Sequence, residues 1–251
     1  EGGVLLARRI AAHRGASDTL PENTIVALAD AVELGCDFVE FDVRATRDGR
    51  LVLLHDATLD RTTDGSGPVA LKTLHELRSL DAGAWLSPTH SGRKVPTLNE
   101  TLAVIRDTAA FIIDFKETAP ALIEELVLSL RADDVLGKAL VTAPHASTLE
   151  TLASTYPDVA IAAPFAVAFP AGRPAALETL RPRLLLARAV DATAEAAQAA
   201  HAAGLELLAT LPRELDAQGA HALANDLEER GLDGVMSARA RSFLASGLRM
   251  V

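Results

Sequence analysis

Cysteine is almost absent from this chain: 251 residues contain one, Cys36. A lone thiol excludes an internal disulfide framework and any cluster of thiolate metal ligands. Aromatic residues are few, at 4%, with a single tryptophan, Trp85. No amphipathic or aromatic stretch suited to docking on a membrane is evident. Long hydrophobic runs are missing as well. The most extended uncharged apolar stretch, residues 159–172, is interrupted by Pro164 and Pro170. It falls short of the ~20 residues a membrane-spanning helix needs, so stable membrane insertion is not expected. Basic residues are outnumbered, 24 Lys+Arg against 34 Asp+Glu, for a net charge of −10. That balance argues against a nucleic-acid partner or an anionic membrane surface, both of which need clustered cations. Any phosphate handled by the protein must be met by a local cation. No basic-then-apolar leader opens the chain, which starts Glu1-Gly2-Gly3, and both a cytoplasmic and a secreted or periplasmic location stay open. Nothing in the sequence reads on oligomeric state.

What is present is apolar content, 49% of residues, enough to bury a sizeable core in one domain. Short apolar runs of strand length fall at residues 10–13, 38–43, 111–115, 139–142, 160–163, 184–187, 205–210 and 234–236. Segments of helical period alternate with them at 24–34, 98–107, 119–131, 147–156, 175–180, 194–203, 216–230 and 241–245. Gly35, Gly204 and Gly231 each follow a helical run, where a left-handed residue commonly ends a helix. Near-continuous apolar strands separated by helices imply a parallel sheet covered by helices. A closed (β/α)8 barrel accounts for the count, and a doubly wound open sheet is the competitor. Residues 44–96 break the alternation with dense Gly and Pro and one short helical stretch, 71–78. They read as a small subdomain inserted after the second strand, with Trp85 packing it onto the barrel mouth.

The polar residues of interest gather early. Glu40 and Asp42 alternate with Phe41 and Val43 on a strand, so both carboxylates point to one face, into the barrel. Two buried like charges need a cation between them, or a neutralising base such as Arg44. Asp48-Gly49 signals a hairpin. Centred between those residues, it sets position 42 across from His55 at the C-terminal mouth, where barrel enzymes keep their sites. A histidine beside paired carboxylates is a metal ligand or an acid/base group. The first strand ends in His13-Arg14-Gly15, which joins a histidine, a guanidinium fork suited to phosphate, and a backbone free to approach a ligand. Pro21-Glu22-Asn23-Thr24 opens the first helix, with Asn23 as its expected N-cap and Glu22 either a helix-dipole charge or part of the cluster. On the third strand, Asp114 and Lys116 share the inward face. Their bland reading is an internal ion pair. Glu40, Asp42 and Asp114 together form an all-oxygen set that suits Mg²⁺ or Ca²⁺ rather than zinc. His145 is expected to cap or pack, and His75, His90, His201 and His221 to lie exposed.

These segments resemble the glycerophosphodiester phosphodiesterase family. The likeness runs through His13-Arg14-Gly15-Ala16, Pro21-Glu22-Asn23-Thr24, Glu40-Phe41-Asp42, the stretch from His55-Asp56 to Gly67, Leu80-Asp81-Ala82-Gly83-Ala84-Trp85, and Val95-Pro96-Thr97-Leu98-Asn99-Glu100. It covers residues 10 to about 116. The resemblance implies a TIM (β/α)8 barrel with a small inserted subdomain, a divalent cation, and hydrolysis of a small-molecule glycerophosphodiester to glycerol 3-phosphate and an alcohol. It implies His13 and His55 as the catalytic pair, Glu40, Asp42 and Asp114 as metal ligands, and Arg14 and Lys116, with Glu22, on the phosphate side. The sequence departs from the family pattern at three places. Asp114 stands where a Glu is usual, Ala209-Thr210-Leu211-Pro212 where a Trp-Thr-Val-Asn-like stretch is common, and Ser237-Ala238-Arg239-Ala240 where Thr-Asp-x-Pro is common. The Asp-x-Lys of the third strand also resembles sphingomyelinase-D-like phospholipases, which makes a lysophospholipid or sphingolipid the alternative substrate. A silent barrel that only binds a phosphodiester or polyol is the third reading.

Overall fold

A computed structural model describes residues 9–106, 110–172 and 174–245. Among the described residues, nine strands form one sheet: β1 (Arg9–Ala12), β2 (Phe38–Ala45), β3 (Leu51–Leu53), β4 (Phe111–Phe115), β5 (Ala139–Thr142), β6 (Ala160–Pro164), β7 (Leu184–Arg188), β8 (Glu206–Thr210) and β9 (Gly234–Ser237). All but β3 are parallel to their neighbours, and β1 pairs with both β2 and β9, which closes the ring. The closed eight-stranded parallel barrel is therefore the architecture, and the open doubly wound sheet is excluded. Helices α1 (Ile25–Glu33), α2 (Leu74–Ser79), α3 (Leu98–Ile105), α4 (Pro120–Ala132), α5 (Ala146–Thr155), α6 (Phe165–Ala168), α7 (Leu177–Leu180), α8 (Ala194–Ala202), α9 (Ala217–Glu229) and α10 (Ala240–Ala245) follow in chain order. The expected end of the helix at 98–107 reaches outside the described residues at Asp107. No helix among the described residues is long and apolar enough to cross a membrane.

The strands are apolar on both faces because each face meets a core. Ala11, Phe38, Ile112, Leu184, Leu208 and Met236 fill the barrel interior. Ile10, Val39, Phe41, Phe111, Ile113 and Phe115 face the surrounding helices and form the larger cluster with them. Packing, rather than capping, secures α1. Its N-cap Thr24 makes no capping bond, and the Thr24 hydroxyl donates back to the Pro21 carbonyl at 2.6 Å. A missing cap forfeits about 1 kcal/mol, whereas one fully buried residue such as Leu28 contributes about 1.5–3 kcal/mol. Asn23 is thus not the N-cap expected from its place before the helix.

β2 is the longest strand and runs on past the barrel rim, where it turns back through β3. The pairing Val43↔Leu53, Arg44↔Val52, Ala45↔Leu51 shifts the expected register by one residue, so Asp42 lies across from Leu54, whose N–H donates to the Asp42 carbonyl at 3.2 Å. The cause is a three-residue loop rather than a two-residue turn. Gly49 takes φ 72°, and Thr46 Oγ1 accepts the Arg50 N–H at 2.9 Å while donating to Asp48 Oδ1 at 2.7 Å. Residues between β3 and α3 build their own small cluster on Val52, Leu59, Val69, Leu77 and Val95. Paired Thr–Glu capping boxes start both α2 (Thr73, Glu76) and α3 (Thr97, Glu100). Trp85 is half-buried in this excursion and donates to the Ala82 carbonyl at 3.1 Å. His90 corrects an expectation: it is half-buried, with Nε2 3.1 Å from the Thr19 carbonyl of the barrel.

Candidate active site

The loop after β1 brings the first functional residues to the C-terminal mouth. Arg14 (φ 60°) and Gly15 (φ 80°) are both left-handed. Arg14 N–H donates to Glu40 Oε2 at 2.8 Å and Gly15 N–H to the Glu40 carbonyl at 3.2 Å, which holds the turn against β2. A Cβ at Gly15 would lie 2.5 Å from the backbone carbon of Ala27, so the turn demands glycine for space as well as for conformation.

Strand register assembles the carboxylates. Asp42 and Asp114 are paired positions in the β2–β4 ladder, and Glu40 sits two residues before Asp42 on the same inward face. One oxygen from each of Glu40, Asp42 and Asp114 lies within 4.8 Å of the others. Two cations already attend this group. Lys116 Nζ is 2.8 Å from Asp42 Oδ1 and also contacts Asp114, and Arg14 Nε is 3.2 Å from Asp42 Oδ2. Arg44, a candidate neutraliser, instead donates to the His55 carbonyl at 2.9 Å. Burial alone would raise Asp42, but Lys116 and Arg14 pull it down to about 2. Glu40 goes the other way: burial, then the charges of Asp42 and Asp114, push it well above the usual carboxylate range. Asp114 is raised chiefly by burial, and its Oδ1 is buried without a hydrogen-bond partner among the described residues. Three crowded acids, one with an orphaned oxygen and one pushed well above its usual range, form a site short of positive charge. Hard oxygen donors at this spacing fit a hard divalent cation.

His13 and His55 sit differently around the acids. His13 lines the mouth, with Nε2 3.9 Å from Glu40 Oε2 and Nδ1 buried without a partner among the described residues. Burial first, and Arg14 next, lower it to about 3, so its imidazole is neutral at physiological pH. His55 is 39% exposed and stands outside the cleft lining, although its charge bears on both Asp42 and Asp114. Its Nδ1 is 2.7 Å from Asp56 Oδ1. The Arg61 guanidinium beside Asp56 holds that carboxyl well below its ordinary range, so Asp56 is the charged partner to which His55 Nδ1 is anchored.

Glu22 does not join the acid cluster. It is buried among three guanidinium groups: Arg14 at 2.7 Å, Arg61 at 2.8 Å and Arg213 at 3.2 Å. Burial opposes its charge, but Arg61, Arg14 and Arg213 hold it down to about 2. Sequence reasoning assigned no site role to Asn23, Asp56, Arg61 or Arg213. Asp56 and Arg61 were within reach, as immediate neighbours of His55 in one motif. Asn23 was masked by its place before a helix, and Arg213 carries no local signal.

These groups border a cleft of about 430 Å³. His13, Glu40 and Asp114 form one side, and Pro144, Pro164, Phe165, Leu186 and Met236 supply an apolar wall. The remaining histidines lie elsewhere. His75 and His145 are exposed, His201 pairs with Asp233 at 3.0 Å, and His221, half-buried against Phe243 with ring centroids 4.4 Å apart, is not the exposed residue expected.

Similar proteins are found among phosphodiesterases. A glycerophosphodiester phosphodiesterase of Bacillus subtilis is 41% identical over 150 residues, covering 55% of this chain and 51% of that protein. One from Caldanaerobacter subterraneus subsp. tengcongensis is 49% identical over 98 residues, covering 39% and 40%. The chain thus spans about half, or less, of the length of these curated relatives. Among solved structures, a glycerophosphodiester phosphodiesterase from Agrobacterium tumefaciens superposes with TM-score 0.80 at 28% identity, covering 95% of this chain and 99% of that one. An Oleispira antarctica phosphodiesterase in complex with the product sn-glycerol-3-phosphate gives TM-score 0.80 at 28% identity, covering 97% and 98%. The model of the glycerophosphoryl diester phosphodiesterase family matches residues 13–239, and with the barrel and the carboxylate–histidine mouth already in place, the chain belongs to that family.

Proposed function

We propose that this chain hydrolyses glycerophosphodiesters to glycerol 3-phosphate and an alcohol at the barrel mouth. Glu40, Asp42 and Asp114 would hold Mg²⁺ or Ca²⁺, and His13 and His55 would form the acid/base pair. One observation carries the reading: three carboxylates from two neighbouring strands within 4.8 Å of one another, beside His13 in the cleft. Family membership over residues 13–239 supports the reaction class. So does the glycerol phosphate product bound by the Oleispira relative.

A phosphodiester resists attack because its anionic oxygens repel nucleophiles. Glu40, Asp42 and Asp114 would hold a divalent cation, which would offset the charge on those oxygens and stabilise it most as it builds in the transition state. Arg14 and Lys116 add fixed positive charge on the same side. Glu22 serves the phosphate through its guanidinium partners, since its own oxygens are occupied and an anion would repel the ligand. His13, neutral and desolvated, accepts a proton from the attacking oxygen, either of water or of the substrate's own neighbouring hydroxyl with water then opening the cyclic phosphate. His55, steadied by Asp56, protonates the alkoxide that leaves phosphorus. The apolar wall across the cleft supports a second substrate reading, a lysophospholipid in place of a diester with a small polar alcohol.

Glycerol 3-phosphate release from glycerophosphocholine and turnover of a lysophospholipid are the tests. Turnover of glycerophosphocholine is expected, lost in EDTA and restored by Mg²⁺ or Ca²⁺. His13→Ala and His55→Ala should each fall by ~10²-fold or more with the fold retained. Near-normal turnover in either variant removes the acid/base histidines, and chelator-resistant turnover removes the cation. Preference for the lysophospholipid selects the second substrate reading. A thermal shift with glycerol 3-phosphate, without turnover of any diester, identifies a silent binding barrel instead.

A further inference from the structure

Arg213 reaches the mouth from the segment between β8 and α9, two strands round the barrel from β1. It follows directly on Ala209-Thr210-Leu211-Pro212, where the sequence leaves the family pattern. Its Nη1 donates to Ser17 Oγ at 3.1 Å, and its Nη2 lies 3.2 Å from Glu22 Oε2. Ser17 Oγ in turn donates to the His13 carbonyl at 2.7 Å. Glu22 also takes the Arg14 guanidinium at 2.7 Å. One side chain therefore grips the β1–α1 loop at two points, one leading to His13 and the other to Arg14. With its side chain 26% exposed and outside the cleft lining, Arg213 does not reach the reacting groups themselves.

The grip matters because Arg14 holds a left-handed conformation that is costly for a non-glycine residue. Two consecutive left-handed residues, Arg14 and Gly15, are held down by the Glu40 side chain and carbonyl. Connecting segments over a barrel face are the first to open locally when such restraints are few. We propose that Arg213 is a positioning residue for the phosphodiesterase reaction. It clamps the β1–α1 loop through Ser17 and Glu22, so that the His13 ring and the Arg14 guanidinium stand in place for the phosphoryl group. The catalytic half of this inference rests on the function proposed above; the clamp on the loop does not.

The experiment compares the purified wild type with Arg213→Gln, Arg213→Lys, Ser17→Ala and the double variant Arg213→Gln/Ser17→Ala. It measures kcat and KM on glycerophosphocholine, melting temperature, and amide hydrogen exchange. Arg213→Gln is expected to lower kcat by ~10-fold or more and to change KM by less than ~3-fold, as misplacement of reacting groups does. Exchange should quicken in peptides covering residues 13–24 and stay unchanged in β4. Arg213→Lys should recover part of kcat, because one ammonium can satisfy one of the two partners. Ser17→Ala should cost less, and the double variant should match Arg213→Gln to within ~2-fold, because both act on one connection. Wild-type kcat with unchanged exchange in Arg213→Gln overturns the inference. So does a lowered melting temperature with wild-type kcat per folded molecule, or losses in the double variant that multiply. If the wild type turns over no diester, the proposed function falls, and the exchange comparison still decides whether Arg213 clamps the loop.

Discussion

Asn23 and Asp42 hold each other twice: Asn23 Nδ2 donates to Asp42 Oδ2 at 2.8 Å, and the Asp42 N–H donates to Asn23 Oδ1 at 3.1 Å. The pair fixes the carboxylate plane so that Oδ1 faces Lys116. Asn23 manages this from φ 55°, a conformation that asparagine tolerates better than most residues.

Asn23→Ala should therefore destabilise the protein by about 2–4 kcal/mol. It leaves a buried N–H without an acceptor and puts alanine in the left-handed region. Asn23→Gly keeps the backbone conformation cheap and loses only the two bonds, so its urea midpoint should fall between those of the wild type and Asn23→Ala. Equal midpoints for the two variants would show that strain contributes nothing at this position.

The buried Glu22 gives a pH dependence of definite sign. Its folded pKa of about 2 lies below the ordinary value of 4.5, so the unfolded chain binds more protons between those limits. The stability it contributes is complete above about pH 4.5 and is lost as the pH falls toward 2. The full effect is about 3 kcal/mol. Urea unfolding from pH 7 to pH 3 should show a shallower decline in Glu22→Gln than in the wild type, from a lower starting stability. Parallel curves would mean that the three arginines do not stabilise the ionised form.

Cation binding can be measured without turnover. Calorimetric titration of Mg²⁺ or Ca²⁺ should find one site in the wild type, weakened by at least ~10-fold in Glu40→Gln and in Asp114→Asn, because affinity follows the number of charged oxygen ligands. Burial and the neighbouring acids push Glu40 up in the cation-free protein, so a bound cation should compete with its proton and affinity should tighten as the pH rises. Unchanged affinity in both variants would place the cation elsewhere.

Gly15 and Gly35 separate crowding from conformation. Both are left-handed, at φ 80° and 72°. A Cβ at Gly35 meets nothing within 4 Å, whereas one at Gly15 collides with the Ala27 backbone. Gly35→Ala should cost about 1 kcal/mol in chemical denaturation, and Gly15→Ala at least about 2 kcal/mol more, because backbone must move. Similar losses would show that the β1–α1 loop yields freely.

Local patterns in the chain were enough to specify the repeating strand–helix order. A run such as Phe111–Phe115, apolar on both faces, can only be covered on both sides, and the observed β4 has these bounds. The i, i+2 spacing of Glu40 with Asp42, and of Asp114 with Lys116, set each pair on one face, because a strand alternates every residue. Those are short-range rules, and they placed most of the mouth.

Pairing and loop contacts answer to longer-range terms. Asp42 stands beside Asp114 because of the register of two strands 72 residues apart, and Ala45 N–H meets Glu117 Oε1 across that same separation. The hairpin slipped by one residue because the Thr46 side chain completes a three-residue loop that Asp48-Gly49 alone does not announce. Asn23 turned from a helix cap into a clamp on Asp42, and Arg213 met Ser17 across 196 residues. The sequence by itself determined which side chains share a strand face. Only the closed barrel decided which faces meet, because burying apolar strands on both sides fixes the register, and the register carries distant charged groups to within hydrogen-bonding distance.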